Sequence, residues 1–155
     1  MPNSKTAEKN LWAATRKAVK VLGRRLHYTR IENSVSDSFP DVEFSLLENG
    51  INYPAYVELK TAARPAHFET NVAVHIRPGQ VRWLRKRWCV RGAAWMLVQV
   101  GSGKDLARYL IPGNLVGEAE QGAPELWYIE NSACDARDPL DRIVRLACTS
   151  RHFEE

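Results

Sequence analysis

Leu11, Thr15, Ala18, Val19 and Leu22 recur at the spacing of one helical stripe, which predicts a helix over residues 4–22. Ser4 is the expected cap and Gly23 the expected stop. Residues 24–39 are polar and rich in turn formers, and Pro40 disfavours helix at Phe39. From there the period changes to two. Val42, Phe44 and Leu46 alternate with Asp41, Glu43 and Ser45, the mark of a half-buried strand. Glu48-Asn49-Gly50 supplies a hairpin turn. A second strand over 55–61 sets Tyr56, Glu58 and Lys60 on one face and Val57 and Leu59 on the other.

Residues 62–71 show no clear period and read as a loop, and 72–76 as a further short strand. Pro78 opens a helix with Val81, Leu84 and Trp88 inward, and Gly92 ends it. An apolar strand over 93–100 follows, then a Gly101-Ser102-Gly103 turn and a strand over 106–111. Residues 114–136 carry no legible pattern. A last helix spans 139–148, with Leu140, Ile143, Val144 and Ala147 inward. The order is α-β-β-β-α-β plus C-terminal additions. It predicts a mixed α/β layer, a small sheet flanked by helices, in a single domain over 1–155.

Composition refines this only a little. At 155 residues, 45% hydrophobic and 26% charged, the chain is ordinary for one packed core. It has no apolar run long enough to span a membrane, and its first residues, Met-Pro-Asn-Ser-Lys-Thr, hold no hydrophobic signal region. The expectation is a cytoplasmic protein. Three cysteines without CxxC spacing and scattered histidines disfavour a disulfide framework and a zinc site. A net charge of +4 permits a polyanionic partner without demanding one.

The chemistry concentrates on the hairpin. Its geometry carries Asp41, at the start of one strand, toward Glu58 near the end of the next. Two carboxylates held together repel unless a cation lies between them, and hard oxygen ligands suit Mg²⁺ or Mn²⁺. Lys60, two residues on, projects from the same face as Glu58. Such a trio can bind a metal, polarise a phosphate and position an attacking water. Against this stands a plain cross-strand ion pair, which a bare Glu-x-Lys would equally provide.

Pro40-Asp41 followed by Glu58-Leu59-Lys60 resembles the signature of the PD-(D/E)XK nuclease superfamily. That superfamily includes restriction endonucleases, Holliday-junction resolvases and VRR-NUC domains. The chain is most similar to its small VRR-NUC-like and resolvase-like members, many of them phage-encoded. Arg30-Ile31-Glu32 before Pro-Asp, Gln80 at a helix start and Gly92 before the apolar strand follow the same pattern, so the resemblance covers about residues 5–112. It implies a restriction-endonuclease-like core, with residues 113–155 as an extension of unknown role. It further implies an Mg²⁺- or Mn²⁺-dependent endodeoxyribonuclease acting on duplex or branched DNA, with two-fold dimers as the common assembly of resolvase-like members.

By the same resemblance, Asp41 and Glu58 are metal ligands, the Leu59 carbonyl completes the shell, and Lys60 orients water and steadies charge on the phosphate. Glu32 resembles the acid that many members place on or after the first helix, although here it stands beyond a polar stretch. Gln80 resembles a helix-start Gln that reaches the site, with a plain surface Gln as the competing reading. Glu43 shares a face with Asp41 but sits two residues along the strand, about 6.5 Å away. Arg82, Arg85, Lys86, Arg87 and Arg91 form a cationic helix surface with no acid between Arg77 and Arg91, which favours phosphate contact over a solvated face. Of these, Arg82, Arg85 and Lys86 are the expected DNA contacts, joined by Arg64 and, more weakly, His67 from the loop. The competing function is a DNA-binding or virion-associated structural protein that keeps the nuclease fold with weak or no cleavage. An RNA-directed nuclease would use the same residues, and the resemblance favours DNA.

Overall fold

The computed structural model describes residues 4–32 and 38–150, with Ser4 as backbone only. Helix α1 spans Ser4–Ala18, then tightens into a 3₁₀ stretch, Val19–Arg25, and turns out at Gly23. Ser4 is the first helical residue rather than the cap before it. The predicted stripe is the buried one: Leu11, Thr15, Val19 and Leu22 all face inward. Thr15 satisfies its buried hydroxyl by donating to the Leu11 carbonyl at 2.7 Å.

Strands β1 (Leu26–Arg30), β2 (Val42–Glu48), β3 (Ile51–Ala62), β4 (Ala94–Val100) and β5 (Ala107–Pro112) form one sheet in that spatial order. All neighbours are antiparallel except β3 and β4, which run parallel. The parallel pair requires a crossover, and helix α2 (Pro78–Cys89) lies within it. Asn49 (φ 52) and Gly50 (φ 76) close the β2–β3 hairpin, two successive positive φ angles as a tight primed turn demands. Val42, Phe44 and Leu46 are buried and Glu43, Ser45 and Glu48 are half-buried, so the predicted alternation holds.

Two elements differ from the expectation. Residues 72–76 are not a strand. Val72 and Ile76 are buried anchors, and the Val72 N–H donates to the Ala123 carbonyl at 2.9 Å, tying the segment to a loop rather than to a ladder. The third strand is instead β1, inside the polar stretch 24–39, of which 33–37 lie outside the described residues. Tyr28, Thr29 and Arg30 are exposed, so β1 has no hydrophobic alternation to betray it. Its pairing with β2 and an edge-on contact of Tyr28 with Trp12 hold it in place.

Helices cover both faces of the sheet. Against one face, α1 and α5 (Leu140–Thr149) pack on Val57, Leu59, Trp95 and Leu97. On the other, α2 joins α3 (Val116–Gln121) over Met96, Val98, Tyr109 and Ile111, with Tyr128 of α4 (Glu125–Asn131) in the same core. The architecture is mixed α/β. Residues 113–149 are therefore not an appendage, because they supply core to both faces, including all four inward residues expected of α5. Among the described residues no helix is long and apolar enough to cross a membrane.

Candidate functional site

The hairpin register sets Val42 opposite Val57, which brings Asp41 level with Glu58. Asp41 is held from three sides. Its Oδ2 accepts the Leu59 N–H at 2.7 Å, its Oδ1 pairs with Arg30 at 2.9 Å, and its side chain meets that of Glu58. Within a strand, a residue's N–H and C=O point toward the same edge. The Leu59 backbone thus faces the edge where Asp41 stands, as the expected carbonyl contribution requires.

Glu58 is 2% exposed, Lys60 7% and Gln80 8%, all on the α2 side of β3. Gln80 links the other two, accepting from Lys60 Nζ at 3.2 Å and donating to Glu58 Oε2 at 2.9 Å. The same Oε1 accepts the Arg77 N–H at 3.0 Å, so the first turn of α2 fixes the amide in place. Gln80 is thereby a buried connector, and the surface alternative does not apply. Gly79 permits this approach, since a Cβ there would stand 2.5 Å from the Ser38 hydroxyl, and Ser38 begins the short run that leads to Asp41.

The two carboxyls carry opposite shifts. Burial pushes the Glu58 carboxyl far up, and the hydrogen bond and charge of Asp41 push it further, against the opposing charge of Lys60. Burial would raise Asp41 too, but hydrogen bonds from Glu58, Leu59 and Arg30 bring it below its ordinary value. The opposite directions are those of a pair that shares one proton.

One acid was missed. Glu8 of α1 is half-buried, and burial raises its carboxyl while Lys60, Asp41, Arg30 and His75 all act on it. The signal was its position: Glu8 lies three residues before Leu11 and seven before Thr15, an acid on the inward stripe of α1. Glu32 lies exposed just beyond β1. Glu43 is half-buried opposite Tyr56 on β3, one step along from the carboxyl pair. Among the described residues no three His, Cys, Asp or Glu side chains are grouped so that they could hold a metal ion.

The cationic residues divide. Arg82, Arg85 and Lys86 are exposed along α2. Arg85 leans toward α3, where its guanidinium lies 2.8 Å from the position a Cβ on Gly117 would take. Arg64 is half-buried and bonded within the fold. It grips Glu125 with Nε at 2.8 Å and Nη2 at 2.9 Å, and also donates to the Asp105 carbonyl. His67 is exposed in its loop, its carbonyl accepting from Thr70. Arg87 takes a different position, stacked 4.9 Å from the centre of Tyr56 and 4.8 Å from that of Trp83.

No protein-family model and no curated protein sequence matches the chain.

Proposed function

We propose that this protein is a metal-dependent nuclease that hydrolyses phosphodiester bonds in DNA. The observation that carries the reading is a pair of carboxyls, half-buried Asp41 and buried Glu58, pressed together one step from a buried lysine. A structural site of this burial would match each charge. Here two carboxyls meet and burial raises Glu58, a repulsion that a divalent cation would relieve.

The donors suit Mg²⁺ or Mn²⁺, which would be held by Asp41 and Glu58, with the Leu59 carbonyl on the same edge. Bound there, the cation would supply Lewis-acid polarisation of a phosphate oxygen and a more acidic water. Lys60 would meet the phosphate charge, with Gln80 keeping its ammonium on the carboxyl side of β3. Gln80 would also orient Glu58 through its amide N–H. Arg30 steadies Asp41 in its ionised form, and Glu8 adds a third carboxyl at the margin. Arg82 and Lys86, exposed on the helix that carries Gln80, would attract backbone phosphates without reading sequence. The arrangement is in keeping with the restriction-endonuclease-like core that the motifs resemble, and with branched or flapped DNA as substrate.

The test is cleavage of labelled linear duplex, a flap and a four-way junction in Mg²⁺, in Mn²⁺ and in chelator, beside Asp41→Ala. Metal-dependent cutting that the variant loses is the expected result. A folded protein that cuts nothing in either metal returns the reading to a DNA-holding module.

A further inference from the structure

Beside the carboxyls stands an aromatic wall that the cleavage chemistry does not use. Phe39 and Trp83 have ring centroids 5.8 Å apart, and Tyr56 and Trp83 5.1 Å. Each ring lies one structural step from a site residue on its own element. Phe39 precedes Asp41 by two positions, Tyr56 precedes Glu58 by two on the same strand face, and Trp83 follows Gln80 by one helical turn. The wall is therefore continuous with the site, at its β3 N-terminal end. Arg87 lies over Tyr56 and Trp83, which sets a cation among the rings.

Phe39 is 46% exposed, an uncovered ring at the rim of a basic helix. Hydrophobic partners fit this rim poorly, because Arg82, Lys86 and Arg87 surround α2 on that side. The chemistry of the wall, π faces with guanidinium and ammonium groups next to a phosphate-cleaving centre, is complementary to a base attached to a phosphate.

We propose that Phe39, backed by Trp83, Tyr56 and Arg87, stacks an unpaired base of single-stranded DNA next to the scissile phosphate. The proposal rests on the nuclease reading and narrows its substrate to DNA with a single-stranded segment, such as a flap. A base inside a duplex has both faces stacked on neighbours and offers none to the wall.

The test uses the whole protein as wild type, Phe39→Ala and Phe39→Tyr. Binding of fluorescent oligo(dT) and of a blunt hairpin duplex is followed by anisotropy in chelator, and cleavage of a flap and a blunt duplex is followed in Mn²⁺. Loss of one stacked base should weaken oligo(dT) binding by Phe39→Ala about tenfold and change duplex binding less than about twofold, with Phe39→Tyr close to wild type. Flap cutting should fall in the same proportion. Equal losses on both substrates, or none, overturn the stacking role. If the wild type cuts nothing yet Phe39→Ala still separates single strand from duplex, the nuclease reading fails and the stacking wall stands. If the protein cuts but Phe39→Ala does not discriminate, the wall is overturned and the nuclease stands.

Discussion

Glu58 and Glu125 are both buried acids, at 2% and 6% exposure, yet their surroundings are opposite. Around Glu125 every charge is answered. Arg64 clasps it with two nitrogens and the Tyr109 hydroxyl donates to it. Those hydrogen bonds, Arg64 first, outweigh burial and lower its carboxyl. Glu58 faces another carboxyl, and its nearest cation, Lys60, is reached through Gln80. The first arrangement is complete within the protein. The second becomes complete when something positive arrives. Burial of an acid is thus no sign of function in itself, and the balance of charge around it decides.

The sharpest break of that contrast is in activity. Lys60→Ala, Asp41→Ala or Glu58→Gln should each lower cleavage about a hundred- to thousandfold, as for other preorganised electrostatic groups. Circular dichroism should show a folded protein in each case. Unchanged cutting by Lys60→Ala would falsify the mechanism.

Arg64→Ala is the converse. It leaves Glu125 buried with no cation and only the Tyr109 hydroxyl as partner, and should cost about 2–3 kcal/mol of stability in urea unfolding. Cleavage of the remaining folded protein should hardly change. Glu58→Gln, by contrast, keeps the shape of a protonated carboxyl and should leave metal-free stability nearly intact near pH 5, where wild type carries little penalty.

Metal should act on one acid and not on the other. Mg²⁺ at a hundred times its dissociation constant would stabilise the native state by about 2.7 kcal/mol, on the order of 5–10 °C in Tm for a chain of this size. Glu58→Gln should abolish that rise and Glu125→Gln should keep it. Binding should also release a proton from the carboxyl pair, measurable by calorimetry in buffers of different ionisation enthalpy.

The pH dependence has opposite signs. Glu58 is raised by burial and by Asp41. Below its unfolded value, about 4.3, it is protonated in both states and carries no penalty. As pH rises from there, the unfolded chain sheds a proton that the fold retains, so stability falls until the folded carboxyl ionises. Glu125 is lowered, so its contribution is present above the unfolded value and lost as pH falls through the folded one. In metal-free melts, Glu58→Gln should gain on wild type as pH rises from 5 to 8, about three to five degrees per pH unit at first. A variant that tracks wild type throughout would show that the proton is not on Glu58.

The smallest effect separates the arginines. Arg82→Gln should reduce the slope of log affinity against log salt by about 1, with no change in Tm. Arg64→Gln should lower Tm and leave the slope alone. The reverse pattern would return Arg64 to the DNA surface.

Local pattern determined a good part of this protein. Alternation from Val42 to Leu46 and Asn49-Gly50 specified the hairpin, and its register follows from the turn, so the meeting of Asp41 and Glu58 was already implicit. Period two also placed Glu58 and Lys60 on one face, and Pro78 placed Gln80 in the first turn of α2. These features rest on interactions between near neighbours, which sequence spacing encodes directly.

Tertiary structure decided the rest. Strand β1 is an exposed edge whose stability comes from its partner β2, so its own residues carry no strand signature. Val72, Val74 and Ile76 alternate like a strand, yet the backbone bonds to Ala123 across the fold. Arg64 meets Glu125 through a contact 61 residues apart, a clasp that no local spacing encodes. Glu8 reaches the carboxyl pair only because α1 packs over the sheet, and Phe39, Tyr56 and Trp83 form one wall only because three elements converge. Each of these depends on which surfaces are pressed together, a choice made by burying the two cores of the whole chain and not by any short stretch of it.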